Sequence, residues 1–137
     1  MRYWLVKSEP DVYSWDQLVK DGRTPWDGVR NHQAANNLKA MKRGDRAFFY
    51  HSGDQRAIVG VAEIVKEAYP DPSDPDGRFV MVDVKPVRAA KTPATLAAIK
   101  AEPKLKNLAL VRQGRLSVVP VEADEWKLLC AMAQVPA

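Results

Sequence analysis

Cys130 is the only cysteine in 137 residues, so no disulfide can form within the chain and no thiolate cluster can hold zinc or an iron–sulfur centre. The two histidines, His32 and His51, fall in no His-x-x-x-His pattern and have no Cys-x-x-Cys beside them. No metal and no cofactor is therefore expected. Glycine-rich phosphate loops are missing too, since neither G-x-G-x-x-G nor G-x-x-x-x-G-K-[ST] occurs, and nucleotide hydrolysis has no motif to rest on. Nowhere do about 18 apolar residues follow one another, and the opening Met1-Arg2-Tyr3-Trp4-Leu5-Val6-Lys7 is too short an apolar run for a signal peptide. The expectation is a cytoplasmic protein with no membrane partner. A nucleophile with its base is equally hard to assemble. His51-Ser52 with Asp45 or Asp54 comes nearest, but neighbours on a strand point to opposite faces, which places His51 badly for activating Ser52.

What is present is an ordinary globular composition, 46% apolar and 28% charged, in a length that suits one domain over residues 1–137. The net charge of +4, from 21 basic and 17 acidic residues, permits nucleic-acid binding without demanding it. Basic residues gather at Lys39, Lys42, Arg43 and Arg46, and again at Lys100, Lys104, Lys106, Arg112 and Arg115. Folding could bring these two segments onto one face, or leave both as solvated surface. Asp71, Asp74 and Asp76 form an acidic loop.

Strand patterns run over Arg2 to Lys7, Arg46 to Ser52, Ala57 to Val65, Phe79 to Val87 and Arg115 to Val121. Gly60, inside an apolar run, predicts a bend or the close approach of another backbone, and Pro86 predicts an edge or bulge. Ser14-Trp15-Asp16-Gln17 has the form of a capping box for a helix ended by Gly22, with Tyr13 able to staple onto Leu18. Thr92-Pro93 reads as the start of a helix halted near Pro103, and Leu105 to Leu110 as a further helical turn. Glu122 to Ala133 reads as a closing amphipathic helix with Trp126, Leu129, Cys130 and Met132 to bury, although Glu122 is a poor cap. Pro70 to Gly77 is loop, expected to be mobile. Strands without regular strand–helix alternation predict an α+β fold on a small mixed barrel.

The stretch with most chemistry is Trp26 to Lys39. Trp26 offers a flat apolar face, Asp27-Gly28 is a turn dipeptide, and Asn31 is a good N-cap for a helix running toward Met41. Free N–H groups at a helix start, with Arg30 beside them, suit a carbonyl, a phosphate or a base edge. The plainer alternative is a core tryptophan, a surface arginine and a simple cap. Lys7-Ser8-Glu9-Pro10, Tyr50-His51-Ser52 and Arg115-Leu116-Ser117 add polar and aromatic groups at strand ends, and together these stretches suggest a binding site.

Lys-Ser-Glu-Pro after a Tyr-Trp-Leu-Val strand, Trp-Asp-Gly-Val-Arg-Asn, Gly-Asp-Arg-Ala-Phe-Phe-Tyr-His-Ser, Met-Val-Asp-Val and Arg-Leu-Ser-Val-Val-Pro-Val before Glu125-Trp126 resemble the EVE domain family from first strand to last helix. The resemblance implies a PUA-like mixed β pseudobarrel flanked by short helices, related to YTH and ASCH domains. It also implies a non-catalytic, monomeric binder of DNA or RNA that captures a modified base, such as a methylated or hydroxymethylated cytosine, in a pocket. The pocket implied is built from Lys7, Ser8, Trp26, Val29, Arg30, Asn31, Tyr50, His51 and Ser52, with Leu116 and Ser117 nearby. Trp26 and Tyr50 would stack, Asn31, Ser8 and Ser52 would read polar edges, and Arg30, Lys39 and Arg115 would hold phosphate. His32, Ala35 and Gly114 depart from the family pattern. A small ASCH-like enzyme acting on nucleic acid or a nucleotide is the other reading left open.

Overall fold

The computed structural model describes all 137 residues. Six strands, β1 (Tyr3–Ser8), β2 (Thr24–Pro25), β3 (Arg46–His51), β4 (Ala57–Pro70), β5 (Val80–Thr95) and β6 (Val118–Val121), form one mixed sheet in the order β2-β5-β4-β3-β1-β6. Only β1 and β3 run parallel. The helices are α1 (Trp15–Asp21), α2 (His32–Ala40), α3 (Leu96–Ala101), α4 (Ala109–Arg112) and α5 (Ala123–Ala133), with a 3-10 turn at Pro103–Leu105.

The long β4–β5 pair shifts register between Ile58/Gly60, Val61/Ala62, Ile64/Lys66 and Lys66/Tyr69, and each shift adds bend and twist. The sheet therefore curls. Its two end strands, β2 and β6, do not pair, and α2 packs against both β6 and β5. Closure is thus made by a helix rather than by a strand ladder, the α+β pseudobarrel expected. Pro86 sits beside a register shift, as its missing N–H requires. Gly60 is approached closely, but by a side chain: a Cβ there would stand 2.5 Å from the Trp15 ring.

Both faces of the central strands are covered: Trp4, Leu5, Val6, Phe48, Phe49 and Ile64 are all fully buried, and α5 packs on one face with Trp126 stacked on Phe48 at 3.9 Å and on Tyr3 at 4.5 Å. Burying Leu129 fully stabilises by about 1.5–3 kcal/mol. Cys130 is buried on the same helix, and burial pushes its thiol up to about 11, so it serves as a small apolar residue. Asp45 is a buried carboxylate that accepts from the Arg2 and Lys42 N–H groups and from the Trp4 indole, tying the chain start to the turn before β3.

Several local expectations are corrected. Ser14 caps α1 by accepting from Gln17 N–H at 3.1 Å, but the Gln17 amide turns to Asp21 at 2.8 Å, so the box is half made. The helix expected from Thr92-Pro93 starts three residues later. Ala94 and Thr95 still pair with Ile58 and Ala57, and Thr95 becomes the cap for α3. Between Ala89 and Ala94 the chain bulges against Gly60 to Ile58, which accommodates Pro93 in the strand. The last strand is Val118–Val121, shorter than Arg115 to Val121. Glu122 gains support from Glu125, whose carboxylate accepts its N–H at 2.9 Å. The acidic loop expected to be mobile is pinned: Asp74 accepts from the N–H groups of Asp76, Arg78 and Phe79 at 3.0, 2.7 and 2.8 Å.

Candidate functional site

Parallel pairing of β1 with β3 sets two carboxyl ends side by side, with Lys7 opposite Tyr50 and Ser52 N–H donating to Ser8 O at 3.0 Å. These residues form the floor of an open cleft of about 930 Å³. One wall is the Trp26 to Asn31 turn. Leu110, Val111, Gly114, Arg115 and Ser117 line the cleft too, as do Gly53, Arg56, Leu96 and Lys100. The volume falls within the range of ligand pockets, roughly 300–1,000 Å³.

The Trp26 turn is shaped by a partner far away in sequence. Gly28 adopts a φ of 78°, open to glycine at little cost, and its N–H donates to Asp71 Oδ2 at 2.8 Å. The Asp71 carboxylate has no exposed surface, and it also accepts from Arg30 at 3.2 Å and from the Ser73 N–H and hydroxyl at 2.8 and 2.6 Å. Burial raises its pKa, but the Ser73 hydroxyl, the Gly28 and Ser73 amides and Arg30 outweigh it and hold the group down at about 2. Arg30 lines the cleft, yet its guanidinium is occupied by Asp71 and by Ser73 Oγ at 2.8 Å and lies over Phe79. Its expected service as a free phosphate ligand is corrected accordingly: it braces the wall.

Trp26 is 8% exposed, and the two readings left open for it hold together. It meets Phe49 edge-on at 5.3 Å within the core and still lines the cleft beside Val29. Asn31 spends Oδ1 on the Ala34 N–H at 2.9 Å as the cap of α2, which leaves its amide Nδ2 to donate into the cleft. On the floor, Lys7 Nζ donates to Gly114 O at 2.9 Å and lies 5.8 Å from the Tyr50 ring centre. Burial lowers the Lys7 pKa; it raises that of the Tyr50 hydroxyl, against the opposing charge of Arg56.

Ser8, Ser52, Ser117 and Arg115 line the cleft as well. Three expected residues do not. His51 turns to the opposite face, where Nε2 accepts the Trp15 N–H at 3.0 Å and Nδ1 donates to Gln55 Oε1 at 2.7 Å. It pins the start of α1, and both its nitrogens are used. Leu116 is 5% exposed and belongs to the core, because the segment entering β6 alternates and only Arg115 and Ser117 face the cleft. Lys39 is exposed near the end of α2, away from the cleft. The first basic segment does not converge with the second: Arg46 pairs with Glu63 at 3.5 Å, whereas Lys100 and Arg115 reach the cleft. Sequence reasoning missed Arg56, Leu96, Leu110 and Val111. The i, i+4 spacing of Leu96 and Lys100 was a usable signal; Arg56, on a turn with a φ of 45°, had none.

A family model for the EVE domain matches residues 2–132. The chain belongs to the EVE domain family. Human thymocyte nuclear protein 1 is 36% identical over 166 aligned residues, spanning 96% of this chain and 74% of that protein. Among solved structures, a Rhodopseudomonas palustris protein is 58% identical with a TM-score of 0.92, covering 98% of this chain and 94% of its own. The structure of human THYN1 protein in complex with 5-methylcytosine containing DNA is 36% identical with a TM-score of 0.91, and the two chains cover each other fully, 100% of each. The PUA-like architecture is common to them.

Proposed function

We propose that this EVE domain is a non-catalytic binder of nucleic acid that takes a modified base, a methylated or hydroxymethylated cytosine, into the cleft above β1 and β3. The observation that carries the proposal is the match over the whole chain, at a TM-score of 0.91, to a human relative solved with 5-methylcytosine containing DNA. The cleft chemistry supports it. Stacking on an aromatic wall contributes about 1–3 kcal/mol per base, which offsets part of the few kcal/mol needed to extrude one. Trp26 and Tyr50, with Tyr13 edge-on to Trp26, are the aromatic groups available. Ser8, Ser52 and the Asn31 amide supply polar edges, while Val29, Leu110 and Val111 supply the apolar contact. Burying one methyl group there is worth on the order of 0.8 kcal/mol, so preference for the modified base is real and modest.

Enzymatic action on nucleic acid draws no support from the cleft, because His51, the nearest ring base, faces away with both nitrogens engaged. The deciding experiment is binding to a panel of DNA and RNA oligonucleotides with and without the modified cytosine. Several-fold tighter binding of a modified member, with every oligonucleotide recovered intact, is expected. Equal affinity across the panel, or turnover of any member, would refute the proposal.

A further inference from the structure

Several cations line the cleft, and they differ in what holds them. Arg56, Lys100 and Arg115 are exposed, line the cleft, and have no carboxylate within 4.0 Å, whereas the other two cleft cations are engaged, Arg30 by Asp71 and Lys7 by the Gly114 carbonyl. Arg56 and Lys100 come from neighbouring pieces of chain, and Arg115 follows Gly114, whose carbonyl Lys7 holds at the cleft floor. Leu96 N–H donates to Arg56 O at 2.8 Å, so the β3–β4 turn abuts α3; Lys100 is one helical turn past Leu96 on the same face; and the chain runs on through α4 to Arg115. Glu9 and Asp27 also line the cleft, and Arg30 there is taken by Asp71.

Granted that the cleft takes a base, we infer that Arg56, Lys100 and Arg115 form the track along which the sugar–phosphate backbone enters and leaves it. A cation held without a partner at a cleft edge is the arrangement that receives a phosphate. The φ of 45° at Arg56 is uncommon for a residue other than glycine, and it places this side chain at the cleft, where a backbone could use it. A cleft of about 930 Å³ is also far larger than one base needs, which leaves room for the flanking sugar and phosphates. The ligand class is therefore a base still joined to its strand, single-stranded or extruded from a duplex, and not a free nucleoside.

The test uses the whole chain and a fluorescent single-stranded oligonucleotide with one 5-methylcytosine, titrated across salt concentrations. Each contact to a single strand contributes a slope of about 0.7 in log K against log salt. Arg56→Gln, Lys100→Gln and Arg115→Gln should each lower the slope by about 0.7 and the triple variant by about 2, weakening modified and unmodified strands equally. Lys127→Gln, on exposed α5, should leave it unchanged. A triple variant that melts like the wild type and keeps the full slope overturns the track while the base-binding proposal stands, provided the wild type still prefers the modified strand. Loss of that preference in the triple variant also overturns it, since these side chains would then be reading the base. A wild type that binds no oligonucleotide removes the base-binding proposal and the track together.

Discussion

Gly28 and Asp71 stand 43 residues apart and are joined by a 2.8 Å hydrogen bond from the Gly28 N–H to a carboxylate with no exposed surface. That bond couples the acidic loop to the turn that carries Trp26 and Arg30. A stretch that composition alone marks as a solvated charge run is, in the fold, the outer brace of the cleft wall.

Asp71→Ala should therefore weaken ligand binding at a distance. Hydrogen bonds to charged groups contribute about 1.5–3 kcal/mol, and the substitution removes those from Gly28, Arg30 and Ser73, so a stability loss of about 2 kcal/mol is expected in thermal melts. Affinity for the modified strand should fall together with selectivity, because the Trp26 turn loses its anchor. Selectivity unchanged in a folded Asp71→Ala protein would show that the turn holds its shape alone.

Acid should act through the same group. Asp71 has its pKa depressed to about 2, and Asp45, Asp74 and Asp83 are also lowered. Carboxylates depressed on folding contribute stability above their unfolded pKa of about 3.9 and lose it as pH falls toward the folded value. Melting temperature should thus be little changed by these groups above about pH 5 and should drop most steeply between about pH 4 and pH 2. Asp71→Asn should flatten part of that drop. An unaltered acid limb in Asp71→Asn would exclude Asp71 as its source.

Trp26 is bound into the core and the cleft at once, so its removal should be read in two channels. Trp26→Ala should destabilise by about 3–5 kcal/mol, as expected for an aromatic side chain in contact with Phe49. Trp26→Leu keeps apolar volume and removes the stacking face. It should melt closer to the wild type yet bind the modified strand about tenfold more weakly, in line with the loss of one base stack. A folded Trp26→Leu with full affinity would transfer the stacking role to Tyr50 or Tyr13. Asn31→Asp keeps an oxygen for the Ala34 N–H and removes the Nδ2 donor, so it should erode selectivity without unravelling α2.

Local chemistry made much of this protein legible from its sequence. Ser14 and Asn31 are caps because their side-chain oxygens satisfy amides three residues ahead, and Gly22 ends α1 at a φ of 74°; such interactions span one turn of chain and leave a mark in the order of residues. Alternation and apolar runs located the strands for the same reason, and the motifs at strand ends led to the EVE family and its pseudobarrel. Tertiary structure decided what depends on distant partners. Pairing of Ala94 and Thr95 with β4 held back α3, contact with Trp15 and Gln55 took His51 out of the cleft, and Asp71 claimed Arg30. Arg56 and Lys100 came to one rim only because the Leu96 N–H meets the Arg56 carbonyl 40 residues earlier. A side chain's type states what it can bind, whereas the geometry around it determines whether that capacity is already spent, and that geometry is fixed by contacts the linear chain does not display.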